Sequence, residues 1–180
     1  MRKTAKFLIA LALALLMMLC FRAVVFTICT VDGDALAPLL CKGDRVLVNR
    51  WSYGLRVGSS DGIIGYSRIG RRAVSRGDII AFDNPHNTDQ VLVARCQALP
   101  GDTVEIQGQR MAVPGEVNCA GRDHYWLMSI GGDSISDSRT LGFISEELII
   151  GRVTAIVYSH DPGSPVWRGW RRDRTLLSIP

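Results

Sequence analysis

The sequence predicts a mostly-β fold: a coiled or closed β-sheet domain carried behind one N-terminal transmembrane helix. Three observations predict it. Residues 7–29, FLIALALALLMMLCFRAVVFTIC, are almost wholly apolar and broken only by Arg22. Beyond residue 31, short runs rich in branched residues alternate at near period two. Lys-Gly-Asp, Arg-Gly-Asp and Pro-Gly-Asp turns punctuate those runs, and no stretch after residue 31 sustains a helical period.

Taken in order, residues 1–6 form a basic cytoplasmic tail, 7–29 the anchor and 31–180 an extracytoplasmic β domain. As a helix, 7–29 would be about 35 Å long at roughly 1.5 Å per residue, enough for a hydrocarbon core of about 30 Å. Arg22 sits one to two turns from the outer end, where a guanidinium snorkels to the interface. The run is long for a cleaved signal peptide, and no small-residue cleavage site follows it. Arg2, Lys3 and Lys6 precede the run, which places the N-terminus in the cytoplasm by the positive-inside rule. These three and Arg22 account for the whole net charge of +4. Beyond them basic and acidic residues balance, which excludes a nucleic-acid binder by bulk charge.

The strands of the outer domain are RVLVNRW (45–51), DIIAF (78–82), QVLVARCQAL (90–99), TVEIQ (103–107) and EELIIGRVTAIVYS (146–159). Residues 54–76, rich in Gly and Ser, read as a long loop or hairpin, and 108–128 as a second irregular region. Cys41, Cys96 and Cys119 fall in the outer domain, an odd number that leaves one thiol free or paired with another chain. There is no C-x-x-C, and His86, His124 and His160 are far apart, so neither a metal site nor a cofactor is expected.

Five blocks, in order, carry a resemblance. VDGDALAPLLCKGD (31–44) resembles the nucleophile segment S-G-x-S-M-x-P-T-L and the Gly-Asp turn of bacterial type I signal peptidases. RVLVNRWSYGLR (45–56) resembles the strand that follows, with its Tyr-Gly. RGDIIAF (76–82) is similar to R-G-D-I-V-V-F, and RCQALPGD (95–102) to R-V-V-G-L-P-G-D. DSRTLGFI (137–144) and IIGRVTAIVYS (149–159) resemble D-S-R-x-W-G-x-V and the Gly-Arg strand after it. The resemblance covers nearly the whole chain and implies the signal peptidase I fold, secretion as the setting and a bacterial inner membrane as the location.

At the positions that carry the family's chemistry the resemblance fails. The nucleophilic serine falls at Ala35, with Leu36 in place of the methionine after it. The lysine general base falls at Ala94, just before Arg95. A methyl group is no nucleophile, and a guanidinium stays protonated, so Arg95 is no substitute base. The serine that helps hold the oxyanion falls at Asp32, whose charge would repel it. The segment G-D-N-x-x-x-S-x-D-S-R falls without a gap on SIGGDSISDSR (129–139). The serine that orients the lysine is then Ile135, while Asp137 and Arg139 remain as a structural ion pair. Lysine occurs at 3, 6 and 42 and nowhere beyond. No shift of alignment supplies a base, because Lys42 lies in a turn beside Gly43-Asp44.

Asp32 and Asp34 are spaced for one strand face and would share a proton if close; as loop carboxylates they are satisfied by backbone N–H groups or by Arg95. WRGWRRDR (167–174) suits a lipid headgroup surface, or a strand end with Trp packed on its own sheet. Trp51 and Tyr53 face either the membrane or the core. The expected function is binding without cleavage. Asp32, Gly33, Asp34, Ala35, Leu36, Pro38, Ala94 and Arg95 would line a groove for an extended precursor or signal peptide segment. Expected partners are the lipid bilayer, that peptide, and a catalytic paralogue or surface-assembly component. The alternative is an active signal peptidase I, a serine endopeptidase with an unrecognised catalytic residue.

Overall fold

A computed structural model describes residues 2–31, 36–58, 65–118, 121–131, 137–161, 163–164 and 169–179. It opens with helix α1 (Arg2–Val25). Its described apolar side chains stand free of the rest of the chain, with Phe7, Met17 and Phe21 about 70% exposed (69%, 72% and 69%). Among the described residues no helix is long and apolar enough to cross a membrane. The unbroken run of described α1 side chains is 4–19, ending before Cys20.

The helix stops at Val25, and residues 26–29, assigned to the anchor from sequence, belong to the sheet. Strand β1 (Phe26–Thr30) pairs antiparallel with β2 (Asp44–Asn49), Phe26 opposite Asn49 and Thr30 opposite Arg45. FTIC is apolar enough to extend the anchor by composition, but Thr27 and Ile28 are β-branched and find a partner edge.

Four further strands extend the sheet. They are β5 (Ile79–Asn84), β6 (Asn87–Ala98), β9 (His124–Met128) and β11 (Ile149–Ser159). The order is β1-β2-β11-β5-β6-β9-β10, with β10 (Ile144–Ser145) at the far edge and β12 (Leu177–Ser178) on the free side of β11. Two ribbons lie apart from it, β3 (Leu55–Val57) with β4 (Ser67–Ile69), and β7 (Thr103–Ile106) with β8 (Gln109–Ala112). The fold is thus mostly β, with a curled antiparallel sheet. The curl has a local cause. The register slips three times along β11 and once each in the β5–β6 and β6–β9 pairings, and such bulges bend and twist a strand. Gly151 sits at one slip, where a Cβ would come 2.3 Å from the Asn49 carbonyl oxygen, so only glycine lets β11 close on β2 there.

The sheet buries both faces. Ile79 and Ala81 join Leu36, Leu40, Val46, Val48, Val93, Val153 and Ile156 in one cluster. Ile80 and Phe82, their neighbours along β5, join Tyr53, Leu92, Ala94, Cys96, Tyr125 and Leu127 in another. That is why IIAF reads as a continuous apolar run: each residue of the pair alternates into a different core. A third cluster sets Ala98, Val113 and Trp126 under the β7–β8 ribbon. The 54–76 region carries the β3–β4 hairpin. The 108–128 region, read as irregular, contains β8 and the central strand β9. One short helix, α2 (Ser138–Leu141), follows Asp137.

Candidate functional site

The site is built on the pairing of β5 with β6. Ile79 lies opposite Arg95, Ile80 opposite Ala94 and Ala81 opposite Val93. Directly opposed residues share a face, so Ala94 and Arg95 project to opposite sides. Ala94 is fully buried on the side of Ile80, Phe82 and Leu92. Arg95 is exposed on the side of Ile79, the face on which Leu36 and Leu40 pack.

Asp32, Gly33, Asp34 and Ala35 lie outside the described residues, as does Ile135. The chain is described again from Leu36, in a turn that Leu40 N–H closes on the Leu36 carbonyl at 3.0 Å. Leu36 and Leu40 are buried and Pro38 is exposed, after a cis Ala37–Pro38 bond. A buried carboxylate anchors this turn. Asp44 accepts from Cys41 N–H (2.9 Å), from the Ser159 hydroxyl (2.5 Å) and from Arg174 Nη2 (3.1 Å). Arg174 also donates to the carbonyls of Pro38 (2.9 Å) and Leu39 (2.8 Å). Arg171 donates to the carbonyls of Lys42 and His160. The basic C-terminal segment therefore closes over residues 38–44; Trp170 beside it is half exposed, with its indole N–H on Thr175.

Beside Ala94 lies a polar cluster that sequence reasoning missed. Tyr53 is buried, which settles it as core, whereas Trp51 is exposed. The Tyr53 hydroxyl donates to Asp78 Oδ2 at 2.9 Å, and Ser75 N–H donates to the same oxygen at 3.1 Å. Arg152 stands 3.4 Å from Asp78 Oδ1. Burial, then the bond to Asp78, pushes the Tyr53 phenol well above its ordinary value. Burial also pushes the Cys96 thiol up to about 12, with Asp78 adding to the effect. Cys96 is thus an inert thiol, held in the wrong protonation state for nucleophilic attack at neutral pH. Cys29, Cys41 and Cys96 are all unpaired thiols, and among the described residues no three His, Cys, Asp or Glu side chains cluster as a metal site would need.

Asp137 caps α2. Its Oδ1 accepts from Arg139 N–H (3.0 Å) and its Oδ2 from the Ser129 hydroxyl (2.8 Å) and Arg139 Nη2 (2.6 Å). Burial alone would raise this carboxyl; the hydrogen bonds from Arg139 and Ser129 outweigh it and hold the carboxyl below its ordinary value. Ser138 accepts from Leu127 N–H, tying α2 to β9. The cluster ties Ser129, which follows the Met128–Arg95 pair of β9 and β6, to the start of α2.

A furrow runs across the Arg95 face, lined by Leu39, Arg76, Arg95, Ile130 and Arg152, and continues past Gln97 and Met128. Its described lining offers three guanidiniums, the Asp78 carboxylate, apolar side chains and the Ser129 hydroxyl, which is engaged by Asp137 and Arg139; it includes no lysine amine.

Comparison with known proteins fits this geometry. The family described as "Signal peptidase, peptidase S26" matches residues 4–120. The chain is similar to a signal peptidase I of Buchnera aphidicola, 31% identical over 49% of this chain and 28% of that one. It is similar to the mouse mitochondrial inner membrane protease subunit 2, 27% identical over 71% of this chain and 65% of that one. It is also similar to a Staphylococcus aureus signal peptidase IB, 24% identical over 85% of this chain and 88% of that one. The chain thus spans little more than a quarter of the first of these and about two thirds of the second. With the family pattern covering helix α1, the turn at 36–44 and the β5–β6 pair, the chain belongs to the signal peptidase I family, peptidase S26.

Proposed function

We propose that this chain is a peptide-holding member of the family that does not cleave. The observation that supports it is Ala94. The resemblance gives this position to the general base, yet its side chain is a methyl, fully buried with Ile80, Phe82 and Leu92. The sequence has no lysine beyond Lys42 to stand in for it, and position 35 is alanine. Losing a nucleophile and its base together costs on the order of 10⁶ in turnover. Asp32 and Ile135, at the oxyanion and lysine-orienting positions, point the same way.

In this reading an extended precursor segment lies along the Arg95 face beside Pro38, and a catalytic paralogue or surface-assembly component receives it; Leu36 and Ala94, expected from sequence to line the groove, are buried beneath the surface and do not. Residues 7–25 within α1 hold the protein in a bilayer, with residues 1–6 in the cytoplasm and 31–180 outside. Exposed apolar side chains along α1 and the basic residues before them support that orientation. Protease added to permeabilised cells should digest the domain beyond residue 31; full protection, with a control envelope protein digested, would reverse the topology.

The decisive experiment uses the purified full chain in detergent with a preprotein and a labelled signal peptide. The expected result is binding without product. Turnover within about tenfold of an ordinary signal peptidase would overturn the proposal.

A further inference from the structure

Among the described residues, the furrow beside the 36–40 turn carries one guanidinium with no counter-charge. Three arginines line it. Arg76 pairs with Asp102, and Arg152 faces Asp78, which also accepts from Tyr53 and Ser75. Both carboxylates are thereby occupied. The Arg95 guanidinium makes no hydrogen bond or ion pair with any described residue. It lies over Gly77, where a Cβ would stand 3.5 Å from Nη2. Ile130 is among the apolar residues that line the same furrow. The family's G-D-N segment would put an aspartate at that position, so the chain has an apolar side chain where the motif has an acid.

We propose that Arg95 recognises a carboxylate side chain, Asp or Glu, in an extended peptide seated in this furrow. The inference rests on the peptide-holding reading above and adds a selectivity to it. Charge complementarity carries it. The described lining has three guanidiniums, of which two face Asp102 and Asp78 and the third, Arg95, shares the furrow with the apolar side chains of Leu39 and Ile130. A planar guanidinium takes a carboxylate through two parallel N–H···O bonds, and partial exclusion of water strengthens them. Gly77 suits this place by its backbone, since a φ of +90° would strain any other residue, and its lack of a side chain leaves the guanidinium uncovered on that side.

The test uses the full chain in neutral detergent and acetylated, amidated nonapeptides of Ala, Val and Ser. One Glu is moved through each position, and each peptide is paired with its Gln twin. Fluorescence anisotropy should find at least one Glu peptide bound about five- to tenfold tighter than its twin. Arg95→Gln should bring that pair to parity. Arg95→Lys should keep part of the preference. Arg110→Gln, which removes a positive charge from β8 outside the furrow, should keep all of it. Parity of every pair in the parent protein, with the Gln peptides bound, would overturn the role of Arg95 and leave the peptide-holding reading standing. A preference that survives Arg95→Gln would do the same. Failure of every peptide to bind would overturn both.

Discussion

Tyr53 donates its hydroxyl proton to Asp78, 2.9 Å away, inside the apolar cluster that buries Ala94. A buried carboxylate in this position persists only while its oxygens are matched. Ser75 N–H and Arg152 supply the other contacts. Tyr53→Phe should therefore lower stability by about 1–2 kcal/mol, the cost of leaving one buried acceptor short of a donor. Urea unfolding followed by tryptophan fluorescence measures it. An unchanged midpoint would mean that Asp78 is satisfied without the phenol.

The same cluster makes stability fall at alkaline pH. Cys96 ionises at about 12 in the folded protein, above the 9.0 of a free thiol, because burial disfavours the thiolate. A raised folded value means the stabilising contribution is complete below the unfolded value and is lost as pH rises toward the folded one. The loss should begin near pH 9 and continue toward 12. Tyr53, raised from 10.0 by burial and by Asp78, adds to the loss only above pH 10. Denaturation midpoints at half-unit steps should thus decline from pH 9, and Cys96→Ala should flatten the part of the decline below pH 10. A decline of the same slope in both proteins would assign it elsewhere.

Arg174 should matter more to stability than its surface location suggests. It joins Pro38 and Leu39 carbonyls to the fully buried Asp44. Arg174→Gln removes the only described charge opposed to that carboxylate, and breaking such a pair on one side costs about 3 kcal/mol. The urea midpoint should drop accordingly. Limited proteolysis should find a new cut between residues 36 and 44. A normal midpoint with no new cut would show that Cys41 and Ser159 suffice to hold Asp44.

How far these features could be read from sequence depends on periodicity and distance. In β2 the pattern is open: Asp44, Val46 and Val48 point inward and Arg45 outward. In β9 it is hidden, because Tyr125, Trp126 and Leu127 are all buried, Trp126 in one core and its neighbours in another. A strand covered on both faces has no polar alternation, so residues 124–128 read as irregular. β1 was lost to its own hydrophobicity, which merged with the anchor. The blocks around Ala94 and Arg95 were legible from their motifs, and their opposite facing followed once they were placed in a strand. The Arg174–Asp44 contact spans 130 residues, and neither residue carries a local signal of the other.

Restoring lysine at position 94 should destabilise this chain and fail to restore cleavage. The site around Ala94 has no exposed surface and is walled by Ile80, Phe82 and Leu92. Ala94→Lys forces four methylenes and an amine into packed space, at a cost of about 3 kcal/mol or more from overpacking and desolvation. Burial lowers the pKa of the amine, so the penalty is full below that lowered value and declines above it, where the folded amine is neutral and the unfolded one still carries its proton. It should shrink as pH rises toward about 10.4, the value of a free lysine. Midpoints of Ala94→Lys and parent, compared at the same pH from 7 to 10, should therefore converge. The double change Ala35→Ser with Ala94→Lys should still give no signal peptide cleavage, because Asp32 and Ile135 leave the oxyanion and the amine unsupported. A double variant that cleaves would show that alanine at these two positions is the whole difference from an active enzyme. A pH-independent penalty would place the new amine in water rather than in the core.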